Sequence, residues 1–292
     1  KAAIVPLSPP RAFVIMTGLK MTDINETNAN LNTGPVIVLP KPMSVKTFNR
    51  LYGSHETLSG VYKLHQKLIA ELLATLLFVF GVVSSNVYYG DKPLMAILGT
   101  SAIGGVMIYI FGRVSGAHFN PAISLALFLR KKLSAMELGL YIAAQIVGAF
   151  IACVLFALVH RGKFNNFAGN EFGYRMYDSE GKKDGWSYVG AFLMEIFLTF
   201  ILIMFILASC EKDNYLGASL GIAFSLVLLG CSVAGGMVSG CCMNPARSLA
   251  PAFMQLFNGE NKNPIKQIWI YLVGPFLGAI IAAFVWPLFI FQ

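Results

Sequence analysis

Two asparagines carry the most informative chemistry in this 292-residue chain. Asn120 and Asn244 each open an Asn-Pro-Ala triplet: Asn120, Pro121 and Ala122, then Asn244, Pro245 and Ala246. The twelve-residue stretches around them, Ser115 to Ala126 and Ser239 to Ala250, are displaced by 124 residues without a gap and identical at eight positions. Asparagine is a strong helix N-cap, and proline at the first helical position is already set to a helical φ and loses no needed donor. Each triplet therefore predicts the start of a helix, with an amide side chain at its positive end. Glu71 and Glu195 obey the same displacement, and Arg247 follows the second triplet on the first turn of its helix.

These groups need elements that can hold them. Hydrophobic residues make up 56% of the chain and charged residues 12%, with mean hydropathy +0.66, so a bilayer is the expected solvent. Six apolar segments approach the roughly 20 residues that a bilayer core requires: 68–89, 94–111, 136–159, 188–210, 216–238 and 268–291. A soluble bundle would show a polar face at helical spacing, which 268–291 lacks. Between the spans, 121–129 and 245–257 are apolar but too short to cross. They predict half-helices that enter the membrane and return. Three spans per repeat is an odd number, so the second half enters from the opposite face. The expected fold is an all-α membrane protein of six transmembrane helices and two re-entrant half-helices in an inverted 3+3 repeat.

Such an inverted pair brings both helix N-termini and both asparagine amides to one point. Two positive dipole ends repel a cation there. A water accepting from both amides directs its hydrogens away along the file, which interrupts proton hopping. The residues before each half-helix, Gly116, Ala117 and His118, then Gly240, Cys241 and Cys242, can present backbone carbonyls to an aqueous path. Irregular backbone is tolerated at membrane depth only beside such a path or within protein. Glu71 and Glu195 are expected to accept hydrogen bonds from the exposed loop amides, bracing the loops. Arg247 cannot face lipid cheaply and is expected to face the pore.

The net charge of +8 lies mostly outside the spans, so it implies anionic lipid and orientation rather than nucleic acid. Lys63, Lys67, Arg113 and the run Arg130, Lys131, Lys132 place both termini in the cytoplasm of a multi-pass, plasma-membrane protein. The five cysteines have no disulfide framework or metal-type spacing. His118 lacks companion ligands, and no metal or cofactor is expected. An intramembrane enzyme would need paired aspartates or a nucleophile with a base, and the spans hold no aspartate. Residues 1–66 are polar and proline-rich, with no cleavable signal, and are expected to be a largely disordered cytoplasmic segment ahead of a channel domain over 67–292, its halves near 67–160 and 188–292.

The paired triplets, Ser-Gly-Ala-His before the first, Asn-Pro-Ala-Arg-Ser in the second, Ala-Glu-Leu-Leu-Ala-Thr in the first helix and Val273-Gly-Pro-Phe-Leu-Gly278 in the last resemble the aquaporin (major intrinsic protein) family. The resemblance covers about 67–292. It implies a homotetramer with one pore per subunit, and a constriction at four positions counted from the triplets: Thr100, Ser232, Cys241 and Arg247. Water-selective members carry a large aromatic and a histidine where Thr100 and Ser232 stand, so a wider, polar filter is expected, admitting glycerol or urea besides water. Ser248, Ala252 and Tyr271 resemble the water-channel branch, whereas Leu272 leans toward the glycerol branch. Cys241 is either a mercurial target or a small packing residue. A water-only channel, a channel for hydroxylated metalloid acids and a poorly conducting junctional or adhesive protein remain alternatives.

Overall fold

The computed structural model describes residues 15–17, 37–39, 62–162, 166–171, 185–211, 216–258 and 263–290. Two compact units divide after Tyr52. In the first, strands β1 (Ile15–Thr17) and β2 (Ile37–Leu39) pair in parallel. The remainder of the segment expected to be disordered falls outside the described residues up to Val61.

Among its described residues, every element of the second unit is a helix. Its elements are α1 (Leu64–Tyr89), α2 (Pro93–Ser115), α3 (Pro121–Leu129), α4 (Ala135–Val159), α5 (Gly185–Ser209), α6 (Leu220–Ser239), α7 (Pro245–Asn258) and α8 (Asn263–Val285). Six helical stretches, α1, α2, α4, α5, α6 with the 3-10 turn before it, and α8 with the turn after it, are long and apolar enough to cross a membrane. Two short ones, α3 and α7, are not.

Local chemistry sets the ends. At α4 a capping box forms, with Ser134 Oγ accepting from Glu137 N at 3.2 Å while Glu137 Oε2 accepts from Ser134 N at 3.0 Å. Helices α2 and α6 both stop at a glycine in the left-handed region, Gly116 (φ 95°) and Gly240 (φ 78°). The last helix starts at Asn263, ahead of the expected 268, and gives way at Trp286 to a 3-10 turn containing Pro287. Proline cannot donate to a continuing helical ladder.

The repeat governs burial as well as sequence. On α1 the buried stripe includes Glu71, Ala74, Thr75, Phe78, Val79, Val82 and Val83; on α5 it includes Glu195, Leu198, Thr199, Leu202, Ile203, Ile206 and Leu207, position for position at the same displacement. Glycines allow the helices of each half to approach closely. A Cβ at Gly148 on α4 would meet the Leu72 carbonyl of α1, and one at Gly278 on α8 would meet the Ile196 carbonyl of α5. Without a strong hydrophobic drive between helices in lipid, such close backbone packing supplies much of their attraction. Helix α2 crosses α6 between the halves, and each half-helix packs on a helix of the opposite half, α3 on α8 and α7 on α4. Both N-termini are thereby held at the centre.

Candidate channel site

The two half-helices meet through their caps. Asn120 is extended (φ −154°, ψ 119°), and its Oδ1 accepts from Ala122 N at 2.9 Å. Asn244 Oδ1 accepts from Ala246 N at 3.1 Å and Arg247 N at 3.3 Å. Their amide nitrogens reach across the junction: Asn120 Nδ2 donates to Met243 O at 2.8 Å, and Asn244 Nδ2 donates to Phe119 O at 2.9 Å. An amide NH2 has two hydrogens. One on each asparagine is committed to the opposite loop, a use the sequence did not reveal, and the second is left for another acceptor.

The loops before the caps are held in uncommon backbone. Ala117 (φ 48°), Phe119 (φ 34°), Cys241 (φ 49°) and Met243 (φ 53°) are all left-handed, matched across the repeat. Each such residue costs on the order of 1–3 kcal/mol and persists only where its surroundings over-determine it. The carboxylates supply that constraint. Glu71, 0% exposed, accepts from Ser115 Oγ (2.6 Å), His118 N (2.9 Å), Phe119 N (2.8 Å) and Gln145 Nε2 (2.8 Å). Glu195, likewise 0% exposed, accepts from Ser239 Oγ (2.6 Å), Cys242 N (2.9 Å) and Met243 N (2.8 Å). Hydrogen bonds to a charged acceptor are worth about 1.5–3 kcal/mol each, enough together to offset both the strain and much of the desolvation. Tyr141 and Tyr271 then tie the loop starts, their hydroxyls donating to Ser115 O (2.9 Å) and Ser239 O (2.8 Å).

Behind the caps the halves diverge. In the first, His118 Nδ1 pairs with Ser124 Oγ at 3.1 Å, and Gln145 Nε2 donates to the same hydroxyl at 3.0 Å. In the second, the Cys242 thiol stands where His118 does, pairing with Ser248 Oγ and donating to Asn244 O at 3.0 Å. The place of Gln145 is taken by Asn170, from the segment 166–171 between α4 and α5. Asn170 Oδ1 accepts from Ser248 Oγ at 2.8 Å and from Arg247 Nη1.

Arg247 is only 7% exposed, and its Nη1 also donates to Ala168 O at 3.2 Å. A guanidinium carries five N–H donors in a fixed fork, so this clamp sets its plane while using one nitrogen. The segment lies directly on the second loop, since a Cβ at Gly240 would come within 2.9 Å of Glu171 O. Phe167 N donates to Gln255 Oε1 of α7 at 2.6 Å, fixing the segment further. One hint of this clamp is readable beforehand: a buried arginine needs acceptors, and the apolar residues of its own half-helix offer none.

Of the four predicted filter positions, Cys241 sits in the second loop at φ 49° and Ser232 on α6. Thr100, half-buried on α2, accepts from Asn86 Nδ2 of α1 at 3.4 Å. Asn86 was not anticipated. All five cysteines carry free thiols.

The model of the Major intrinsic protein family matches residues 59–286. This chain belongs to that family. Nodulin-26 of Glycine max is 33% identical over 231 residues, covering 76% of each chain. Aquaporin Z of Photorhabdus laumondii is 32% identical over 236 residues, covering 76% of this chain and 96% of that one. The X-ray structure of the aquaglyceroporin from Plasmodium falciparum shares the fold, with TM-score 0.66 and 22% identity over 77% of this chain and 96% of its own. The chain is thus a multi-pass membrane channel of the aquaporin family and not an enzyme.

Proposed function

We propose that the chain conducts water together with small neutral solutes such as glycerol and urea, and excludes protons and ions. The observation that carries this reading is the cross-tied pair Asn120 and Asn244, each keeping one amide hydrogen beyond its tie to the opposite loop. A water that accepts both remaining hydrogens has its own hydrogens turned outward, so no continuous relay forms. The positive ends of α3 and α7 oppose cations at the same point.

On either side, the loop hydrogen bonds use the carbonyls of Ser115, Phe119, Ser239 and Met243. The intervening carbonyls of Gly116, Ala117 and His118, and of Gly240, Cys241 and Cys242, serve as stepwise acceptors for the solute. At the outer constriction Arg247 donates to the solute with the N–H groups not held by Ala168 and Asn170. Thr100 and Ser232 replace bulk with hydroxyls, and such groups exchange hydration for direct hydrogen bonds to polyols.

The charge bias of the short loops favours both termini in the cytoplasm of the plasma membrane. The exposed apolar helix faces face lipid and the other subunits of a homotetramer. Uptake of labelled glycerol and urea into proteoliposomes, measured beside osmotic swelling, tests the reading. All three fluxes are expected to exceed those of empty vesicles, and glycerol exclusion would remove the wide-filter component.

A further inference from the structure

A cavity of ≈ 270 Å³ lies where α3, α5 and α8 finish, and its lining is two-sided. Arg130, Lys131 and Lys132 contribute three consecutive cations, and Leu207, Trp286 and Ile290 an apolar wall. The one carboxylate among the described lining residues, Glu211, accepts from the Trp286 indole nitrogen at 2.9 Å. Among the described lining residues, Arg130 and Lys131 alone already outnumber the one tethered carboxylate.

The backbone fixes the basic run. Lys132 N donates to Leu127 O and Lys131 N to Phe128 O, both at 2.8 Å, closing α3 in a Schellman turn. The left-handed position of that turn ordinarily goes to glycine, yet Lys131 occupies it at φ 57°. This turn uses the carbonyls of Leu127 and Phe128, which blunts the negative helix end that would otherwise oppose an anion. In the chain between the lining residues Trp286 and Ile290, Leu288 and Phe289 are 80% and 64% exposed, apolar surface suited to acyl chains.

Resting on the orientation proposed above, which puts this end of the spans at the cytoplasmic leaflet, we propose that the cavity binds the phosphate-bearing headgroup of an anionic phospholipid. Arg130, Lys131 and Lys132 engage the phosphate oxygens; Leu207, Trp286 and Ile290 cover the glycerol and first acyl carbons. Basic pockets between spans at the cytoplasmic face suit such headgroups, whereas a freely soluble phosphate has no use for the apolar wall.

Trp286 reports on its own cavity. With Trp186→Phe and Trp269→Phe it is the sole tryptophan, and its fluorescence in proteoliposomes can be quenched by brominated phosphatidylglycerol or brominated phosphatidylcholine at equal mole fraction. Both leaflets carry the same lipid, so the outcome does not depend on which face is cytoplasmic. The anionic lipid is expected to be preferred by on the order of tenfold in apparent affinity. The combined Arg130→Gln, Lys131→Gln, Lys132→Gln variant is expected to lose that preference, and the charge-preserving Arg130→Lys, Lys131→Arg, Lys132→Arg variant to keep it. Equal quenching by the two lipids, or a preference that survives loss of charge, would overturn the proposal. Loss of the preference in millimolar inorganic phosphate would assign the cavity to a free anion and overturn the lipid assignment.

Discussion

Asn120 and Asn244 each donate to the backbone carbonyl of the residue just before the other, at 2.8 and 2.9 Å, so the two half-helix caps are tied reciprocally across the junction between the two halves. Neither cap can move without pulling the opposite loop. Asn120→Ala removes the acceptor for Ala122 N as well as the tie to Met243 O. Losing a cap costs about 1–2 kcal/mol and an interior hydrogen bond about 1 more. A clear drop in the thermal unfolding midpoint of the purified protein is expected, with water permeability falling in parallel. An unchanged midpoint would show that the tie contributes nothing.

The two carboxylates differ in a way that separates their variants. Glu71 accepts from Gln145 as well as from the loop, whereas among the described residues no such side-chain amide donates to Glu195. Gln145→Leu removes one donor to Glu71 and one to Ser124. A loss of about 1–3 kcal/mol is expected while the loop amides stay bound. Glu71→Gln instead sets an NH2 group among donors, and is expected to abolish most of the folded yield, read by size-exclusion chromatography in detergent. Equal yields for the two variants would contradict the bracing role.

Asn170 holds Arg247 and Ser248 from outside both repeats. In Asn170→Ala the guanidinium keeps Ala168 O but loses its side-chain acceptor, a change worth about 1.5–3 kcal/mol for a charged donor. The freed arginine samples more positions at the constriction. The ratio of glycerol to water permeability is expected to shift several-fold while the fold remains intact, as judged by the unfolding midpoint. A constant ratio would show that the loop segment does not set the filter.

Close helix approach is testable at Gly148 and Gly278. Their added Cβ atoms would meet the backbone oxygens of Leu72 and Ile196, which cannot rotate away. Gly148→Val is expected to destabilise by several kcal/mol, beyond the 1–3 kcal/mol typical of overpacking by flexible neighbours. Gly139, with nothing near its Cβ position, is the matched control, and Gly139→Ala is expected to be neutral or mildly stabilising by the same thermal assay.

The sequence was most legible where local chemistry and the repeat agreed. Pro121 to Leu129 forms the half-helix its Asn-Pro start and apolar length predict, and both glutamates meet the loop amides of their own half. Legibility ended where a contact came from outside the repeat. Asn170, Gln145 and Asn86 belong to a connecting segment or to spans whose facing registers differ between the halves, so no displacement rule points to them. The second hydrogen bond of each central asparagine was hidden for a related reason: it depends on how far the two loops penetrate, and that distance is set by helix packing. Helix α2 extended past its apolar core because helical hydrogen bonding continues through polar residues until Gly116 stops it, whereas α8 began ahead of its core at Asn263 and gave way short of 291 to the 3-10 turn that holds Pro287.

In the proposed function, water and small neutral solutes share one path past Arg247, with Thr100 and Ser232 giving it width. Stopped-flow light scattering on proteoliposomes of the parent chain and of Thr100→Phe with Ser232→His, under osmotic steps of impermeant sugar and of glycerol, tests it directly. The parent is expected to conduct both, and the double variant to keep most water flux while glycerol flux falls by about tenfold or more. A parent that passes no more water or glycerol than empty vesicles, or a double variant with undiminished glycerol flux, would contradict the account.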